Sequence, residues 1–100
     1  MCRNIRVLHH FTPPTTDDEI AAAALQYVRK VSGSTRPSRA NQAAFDAAVA
    51  EVTEVTTRLL REGLVPSGEP RTREAMAERA KVRGQKREEA VARRLGAAGR

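Results

Sequence analysis

The fold is decided by the segment Leu25-Gln-Tyr-Val-Arg-Lys-Val-Ser-Gly-Ser-Thr-Arg-Pro-Ser-Arg-Ala-Asn41. It links the end of one amphipathic helix to the start of another. Gly33 is a typical helix stop, because glycine adopts the left-handed conformation that closes many helices. Pro37 and Ser38 are typical of a helix start. The segment therefore predicts two helices joined by a short loop.

The first helix is marked upstream of this segment. Thr16 followed by Glu19 fits a capping box, and the acidic residues around position 18 suit the positive end of a helix dipole. Gly33 predicts its end. Apolar residues recur at the spacing of one helical face, namely Ile20, Ala24, Tyr27, Val28 and Val31. This spacing predicts that the stripe is buried.

The second helix lies downstream, with Ser38 or Asn41 as its N-cap, and should run to about Glu62 before Gly63. Its apolar stripe comprises Phe45, Ala48, Val49, Val52, Val55, Leu59 and Leu60. We expect the short connection to return the helices as an antiparallel hairpin. Tyr27 and Phe45 should then be core partners across it.

The ends of the chain complete an all-α prediction. Met1–Phe11 reads as an extended N-terminal arm that packs its apolar side chains onto the helices. The segments 72–82 and 85–95 favour one or two basic C-terminal helices, broken near Gly84, or a helix that orders only on binding. We predict an arm-plus-hairpin domain over 1–66 and a basic helical tail over 67–100.

Composition narrows the classes of function. The 18 Lys and Arg residues exceed the 12 Asp and Glu residues, for a net charge of +6. A basic balance favours anionic partners, nucleic acid or an acidic protein. The single cysteine excludes an internal disulfide, and no apolar run is long enough for a membrane span. We therefore expect a cytoplasmic protein. Large side chains are scarce, so we also expect a thin core and no cofactor pocket.

The loop between the two helices is the first candidate site. No acidic residue lies between Glu19 and Asp46, and hydroxyl groups and a helix N-terminus adjoin the loop's cations. Such groups suit a phosphate. The candidate anion-binding residues are Arg29, Lys30, Ser34, Arg36, Ser38 and Arg39. The alternative is that these residues only solvate, cap and turn the loop.

The tail is the second candidate. Residues 67–100 carry ten basic and five acidic side chains. The cations that could follow a phosphate backbone include Lys81, Arg83, Lys86 and Arg87. Interleaved glutamates leave the alternative of a solvated or protein-binding helix, and the region has no aromatic residue for base stacking.

The N-terminus offers a third candidate. If Met1 is removed, Cys2 places a thiol beside a free amine, and with His9 and His10 it supplies ligands that soft metals prefer. The same thiol could act as a nucleophile. The alternative is an ordinary cysteine with surface histidines, since no second cysteine supports either site.

Several strings together resemble a known family. They are Met-Cys-Arg-Asn-Ile at 1–5, Phe11 with Pro13-Pro14, Asp-Glu-Ile at 18–20, Ala-Ala-Ala-Leu-Gln-Tyr-Val-Arg-Lys at 22–30, Ser32-Gly33, Pro37-Ser38 and the stretch from Ala40-Asn41 to Ala44-Phe45. In this order they resemble a family of short prokaryotic proteins, domain of unknown function 2277, over about residues 1–62. The resemblance implies a compact helical cytoplasmic protein and supplies no catalytic residues.

The function expected from the sequence is therefore a non-enzymatic binding module for an anionic partner such as nucleic acid. The first alternative is a helical protein-interaction or homo-oligomerisation module, with a homodimer favoured by the thin core. The second is a metal-binding protein that uses its N-terminal cysteine and histidines.

Overall fold

The first helix begins and ends where the sequence predicts. In the computed structural model, which describes residues 4–98, α1 spans Asp17–Ser32. The Oγ1 atom of Thr16 accepts the Glu19 N–H at 3.2 Å, and the Thr16 N–H donates to Glu19 Oε1 at 2.9 Å. Gly33 ends the helix at a φ of 70°, which glycine adopts without strain. The capping box and the stop are confirmed.

One face of α1 supplies most of the core. Ile20, Ala24 and Val28 are buried at four-residue spacing. Tyr27 and Val31, predicted to lie in the same buried stripe, are 49% and 66% exposed, so that part of the prediction is wrong. Helical periodicity identifies a face, whereas burial also depends on how far neighbouring elements cover it.

The N-terminal arm contributes one more buried side chain, Leu8. The arm is also tied to α1 by the Asn4 N–H, which donates to Gln26 Oε1 at 2.9 Å. Ile5 and Val7 remain exposed. The arm therefore packs on the helices as expected but buries fewer apolar side chains than predicted.

The second helix, α2, spans Gln42–Arg58 and packs against α1. Just beyond its end, Arg61 forms an ion pair with Asp17 in the first turn of α1, with 2.5 Å between Nη2 and Oδ1. No residue of α2 is buried. The prediction of a buried stripe on this helix is therefore wrong, and Phe45 and Leu60 are only half-buried.

The end of α2 is also different from the prediction. The α-helix stops about one turn early and continues as a π-helical turn over Leu59–Gly63, in which the Leu64 N–H donates to the Leu59 carbonyl at 3.0 Å. Just before this turn, the Thr57 hydroxyl donates to the Thr53 carbonyl at 2.7 Å. Such back-bonding by threonine often bends helices.

The start of α2 lacks the side-chain cap that was predicted. Asn41 occupies the N-cap position, but its side chain makes no capping hydrogen bond. Ser38 contributes only its backbone carbonyl, which accepts the Asn41 N–H at 3.0 Å. The first turn of α2 also contains no acidic residue. Its positive dipole end is therefore not compensated by a charge within the helix.

These two helix starts allow a matched test of capping. Thr16→Ala removes both the acceptor for the Glu19 N–H and the reciprocal geometry of the capping box, so we expect a loss of about 1 kcal/mol in the free energy of unfolding. Asn41→Ala removes no capping hydrogen bond, so it should change the free energy of unfolding by less than half as much. Urea unfolding followed by circular dichroism measures both. Equal losses would contradict the assigned caps.

The last helix, α3, spans Arg73–Ala98 without interruption. It begins after Thr72, whose hydroxyl accepts the Ala75 N–H at 3.1 Å. The predicted break near Gly84 is wrong, since one glycine within a helix costs only about 1 kcal/mol. The larger apolar residues Val91 and Leu95 are exposed, so α3 has no core of its own.

Residues 4–98 contain three α-helices and no strand, which confirms the all-α class. The chain forms two compact units, Met1–Pro70 and Arg71–Arg100, and the predicted boundary after residue 66 stays a prediction. Within 4–98, none of the helices combines the length and the apolar character needed to cross a bilayer.

Candidate functional site

A polar surface depression lies at the C-terminal end of α1. Its volume is about 310 Å³, and its lining residues are Asn4, Ala22, Leu25, Gln26, Arg29, Lys30 and Thr35. Two of these side chains are cations, three are neutral hydrogen-bonding groups, and none is acidic. We call this feature the cationic depression.

The local fold explains how α1 supplies one side of the depression. Ala22, Gln26, Arg29 and Lys30 follow one another at spacings of four, three and one residues, so they share a helix face. Arg29 and Lys30 lie in the last turn, where cations also favour the negative end of the helix dipole. A structural role for these two residues and a binding role are compatible, because the dipole does not neutralise a full charge.

The loop after α1 brings Thr35 to the depression. The N–H groups of Gly33 and Ser34 both donate to the Arg29 carbonyl, the second at 3.2 Å. The Ser34 N–H also lies 3.3 Å from Ser32 Oγ. Because these bonds hold the backbone back against the helix end, the Ser34 N–H is already used within the loop.

The structure brings together only part of the predicted loop site. Arg29 and Lys30 line the depression, whereas Ser34, Arg36, Ser38 and Arg39 are not among its lining residues. Arg36 and Arg39 are exposed and form no hydrogen bond or ion pair with any residue of 4–98. They lie between the depression and the start of α2 along the chain.

Asn4 and Gln26 were missed by the sequence reasoning. Gln26 could have been found, because it precedes Arg29 by three residues and so shares its face. Asn4 could not, because it reaches α1 across a separation of 22 residues through a hydrogen bond that no local pattern encodes.

The tail candidates all lie on α3. Lys81, Arg83, Lys86 and Arg87 are exposed and form no ion pair with a residue in the described part of the chain. Successive residues of a helix are turned by 100°, so Arg83, Lys86 and Arg87 share one face of α3, while Lys81 lies on the opposite side. They give the helix a general positive charge.

The histidines of the metal candidate lie side by side, with 5.9 Å between ring centroids. His10 is oriented by its Nε2–H, which donates to the Gly68 carbonyl at 3.0 Å. No cluster of three or more potential metal ligands occurs among residues 4–98. Cys2 lies outside the described residues, so the site comprising Cys2, His9 and His10 stays a prediction.

An apolar groove lies on a different face of α1 from the cationic depression. It has a volume of about 260 Å³, and its lining residues include Ile5, Leu8, Tyr27, Val52 and Leu60. Val52 also lines a second depression, which lies along α2 alone. An apolar surface therefore continues from the groove onto the outer side of α2.

Comparisons with known proteins support the family resemblance. The family model described as "Uncharacterized conserved protein (DUF2277)" matches residues 1–79, so the chain belongs to this family. The match extends beyond the segment identified from the sequence strings, into the first turns of α3. No curated protein and no solved structure matches the chain.

Proposed function

We propose that this member of the DUF2277 family is a non-enzymatic binding module that contacts the phosphate backbone of nucleic acid. The observation that carries the proposal is the cationic depression, in which Arg29 and Lys30 stand beside neutral hydrogen-bonding side chains without an acidic neighbour. Arg36 and Arg39 extend the same positive charge along the loop. We further propose that the protein acts in the cytoplasm.

Phosphate chemistry suits this arrangement. Arginine can donate two parallel hydrogen bonds to phosphate oxygens, and lysine acts as a compact positive charge. The Thr35 hydroxyl and the Gln26 amide add neutral donors of the kind that hold a nucleic-acid backbone in register. The uncompensated N-terminus of α2 adds a positive dipole at the end of the same loop.

Base recognition has little support. None of the side chains that line the cationic depression is aromatic, so it has no platform on which a base could stack. We therefore infer that the protein contacts phosphates without recognising a base sequence. It should bind both duplex and single-stranded nucleic acid.

The proposal also includes a finer architecture. We infer that α1 and α2 form an antiparallel hairpin, which is supported by the ion pair between Asp17 at the start of α1 and Arg61 beyond the end of α2. The third helix contributes a basic C-terminal element with eight Lys or Arg residues against four Glu. Its cations would add phosphate contacts that do not depend on the depression.

The test removes two charges from the depression. Relative to 1 M salt, each phosphate contact contributes about eightfold to affinity near 0.1 M salt, so Arg29→Gln/Lys30→Gln is expected to weaken duplex binding by about 60-fold. The slope of log affinity against log salt should become less steep by about 1.8. Fluorescence anisotropy with a labelled duplex at several salt concentrations measures both quantities.

The matched control is Arg6→Gln/Arg61→Gln, which removes two charges near the other end of α1. It should leave the salt slope within about half a unit of wild type. Equal effects of the two double variants would contradict the assignment to the depression. Failure of wild type to bind at low salt, or equal binding of polyglutamate, would reject nucleic acid as the partner and favour an acidic protein.

A further inference from the structure

The outer side of α2 carries an apolar strip. Val52, Val55 and Leu59 are spaced by three and four residues, which places them along one face of the helix. Val55 and Leu59 are 53% and 52% exposed, although α2 packs on α1. Charged side chains border the strip, and Glu51, Val52, Glu54, Val55 and Arg58 together line a depression of about 340 Å³.

The core inside the unit is small, so covering further apolar surface would add to its stability. Among the described residues, only Leu8, Ile20, Ala24 and Val28 are buried apolar side chains, and α2 contributes none of them. Domains of this size are already marginal, because little of their surface is removed from water. A second copy of the chain is available to cover the strip whenever the chain is present.

The strip is complementary to itself under a twofold axis. Glu51 lies four residues before Val55, and Arg58 lies three residues after it. In an antiparallel pair of α2 helices centred on Val55, Glu51 of each copy is therefore level with Arg58 of the other to within about 1.5 Å along the axis. By the same reasoning, Val52 is level with the partner's Leu59.

The ion pairs and the apolar contacts lie on opposite edges of this interface. Glu51 and Arg58 lie about 20° apart around α2, while Val52 and Leu59 lie about 20° apart on the other side of Val55. A twofold axis between antiparallel helices keeps each edge against the same edge of the partner. Ion pairs therefore form along one edge and apolar contacts along the other.

The charges on the strip are available for such a pair. Arg58 Nη1 donates to Glu54 Oε1 at 3.1 Å within α2, which leaves further guanidinium donors. The Glu51 side chain forms no ion pair or hydrogen bond with any residue of 4–98. Each interface would thus contain two copies of the Glu51–Arg58 pair.

We propose that two copies of this chain associate through α2, antiparallel about Val55. This surface is separate from the cationic depression, and the proposal does not depend on nucleic-acid binding.

The first test compares two valines of equal exposure. Val55 on α2 is 53% exposed and Val91 on α3 is 52% exposed, so lysine is tolerated equally well at both positions in a single chain. Sedimentation equilibrium of the full chain should give twice 11.0 kDa for wild type and Val91→Lys, and 11.0 kDa for Val55→Lys. Circular dichroism should give the same helix content for all three.

The second test exchanges the charges. Glu51→Arg or Arg58→Glu alone places like charges against each other at both pairs, and each should raise the dimer dissociation constant on the order of tenfold. The double variant Glu51→Arg/Arg58→Glu restores opposite charges and should recover most of the wild-type affinity. A merely structural role for either residue would give no such recovery.

Three results would overturn the proposal. They are a wild-type mass of 11.0 kDa at about 0.1 mM chain, retention of the dimer by Val55→Lys, and loss of affinity in the double variant equal to the sum of the single losses. Dissociation by Val91→Lys but not by Val55→Lys would place the interface on α3 instead.

Discussion

Ile20→Ala is expected to lower the free energy of unfolding of the α1–α2 unit by about 2–5 kcal/mol. Ile20 is 1% exposed and is the largest fully buried side chain among the described residues. Truncation removes buried apolar area and leaves a cavity in a core with few other members, so neighbouring side chains have little scope to refill the space. For a domain of this size, such a loss is a large part of the total stability.

Val31→Ala provides the matched control on the same helix. Val31 is 66% exposed, so its truncation removes little buried area, and alanine favours the helix slightly more than valine. We expect a change within about 0.5 kcal/mol. Thermal and urea unfolding, followed by circular dichroism, measure both variants. A loss at position 31 as large as that at position 20 would mean that the buried face of α1 has been assigned incorrectly.

Leu8→Ala is the second substitution with a large expected effect. Leu8 is the only residue of the arm that is buried among residues 4–98, and the Thr15 hydroxyl donates to its carbonyl oxygen. Removing its side chain should cost about 2–4 kcal/mol, because the arm then has no buried anchor on the helices. The neighbouring exposed residue offers a control, Val7→Ala, for which we expect less than about 0.5 kcal/mol.

Hydrogen exchange separates detachment of the arm from loss of the whole fold. If Leu8 anchors the arm, Leu8→Ala should reduce protection of the Asn4 N–H, which bonds Gln26, at least as strongly as protection of the α1 amides. Unchanged unfolding by urea in Leu8→Ala would show that the arm contributes nothing to the stability of the unit.

The two proposals together suggest how the molecule could gain affinity. Pairing through α2 would place two cationic depressions on one particle, and a polyanion that reached both would bind the second with a high effective concentration. Val55→Lys would then weaken binding to a long duplex more than binding to a short one. That comparison connects the surfaces without making either proposal depend on the other.

Much of the first helix could be predicted from sequence, because its signals are local. The capping box at Thr16 and the stop at Gly33 each depend on a few neighbouring residues, and both are present. The continuous path of α3 through Gly84 was not predicted, since a glycine lowers helix stability without forbidding it. The π-helical turn at Leu59–Gly63 has no simple sequence signature and was missed.

The candidate site was predicted in part for the same reason. Arg29 and Lys30 were found because they are consecutive cations at a predicted helix end. Asn4 was not, because its place beside them depends on where the arm crosses α1. The predicted burial of Tyr27 failed because periodicity places a residue on a face without stating whether another element covers it.

The sequence by itself determined the helical class, the limits of α1, the excess of positive charge and the absence of acidic residues between Glu19 and Asp46. Only the tertiary structure decided which apolar residues are buried, which side chains meet in the cationic depression, and that Val55 of α2 and Leu59 of the π-helical turn stay exposed. The physical reason is the distance along the chain over which each kind of interaction acts. Caps and helix stops are set by hydrogen bonds within one turn, whereas burial and the assembly of a surface depend on contacts between segments distant in the chain.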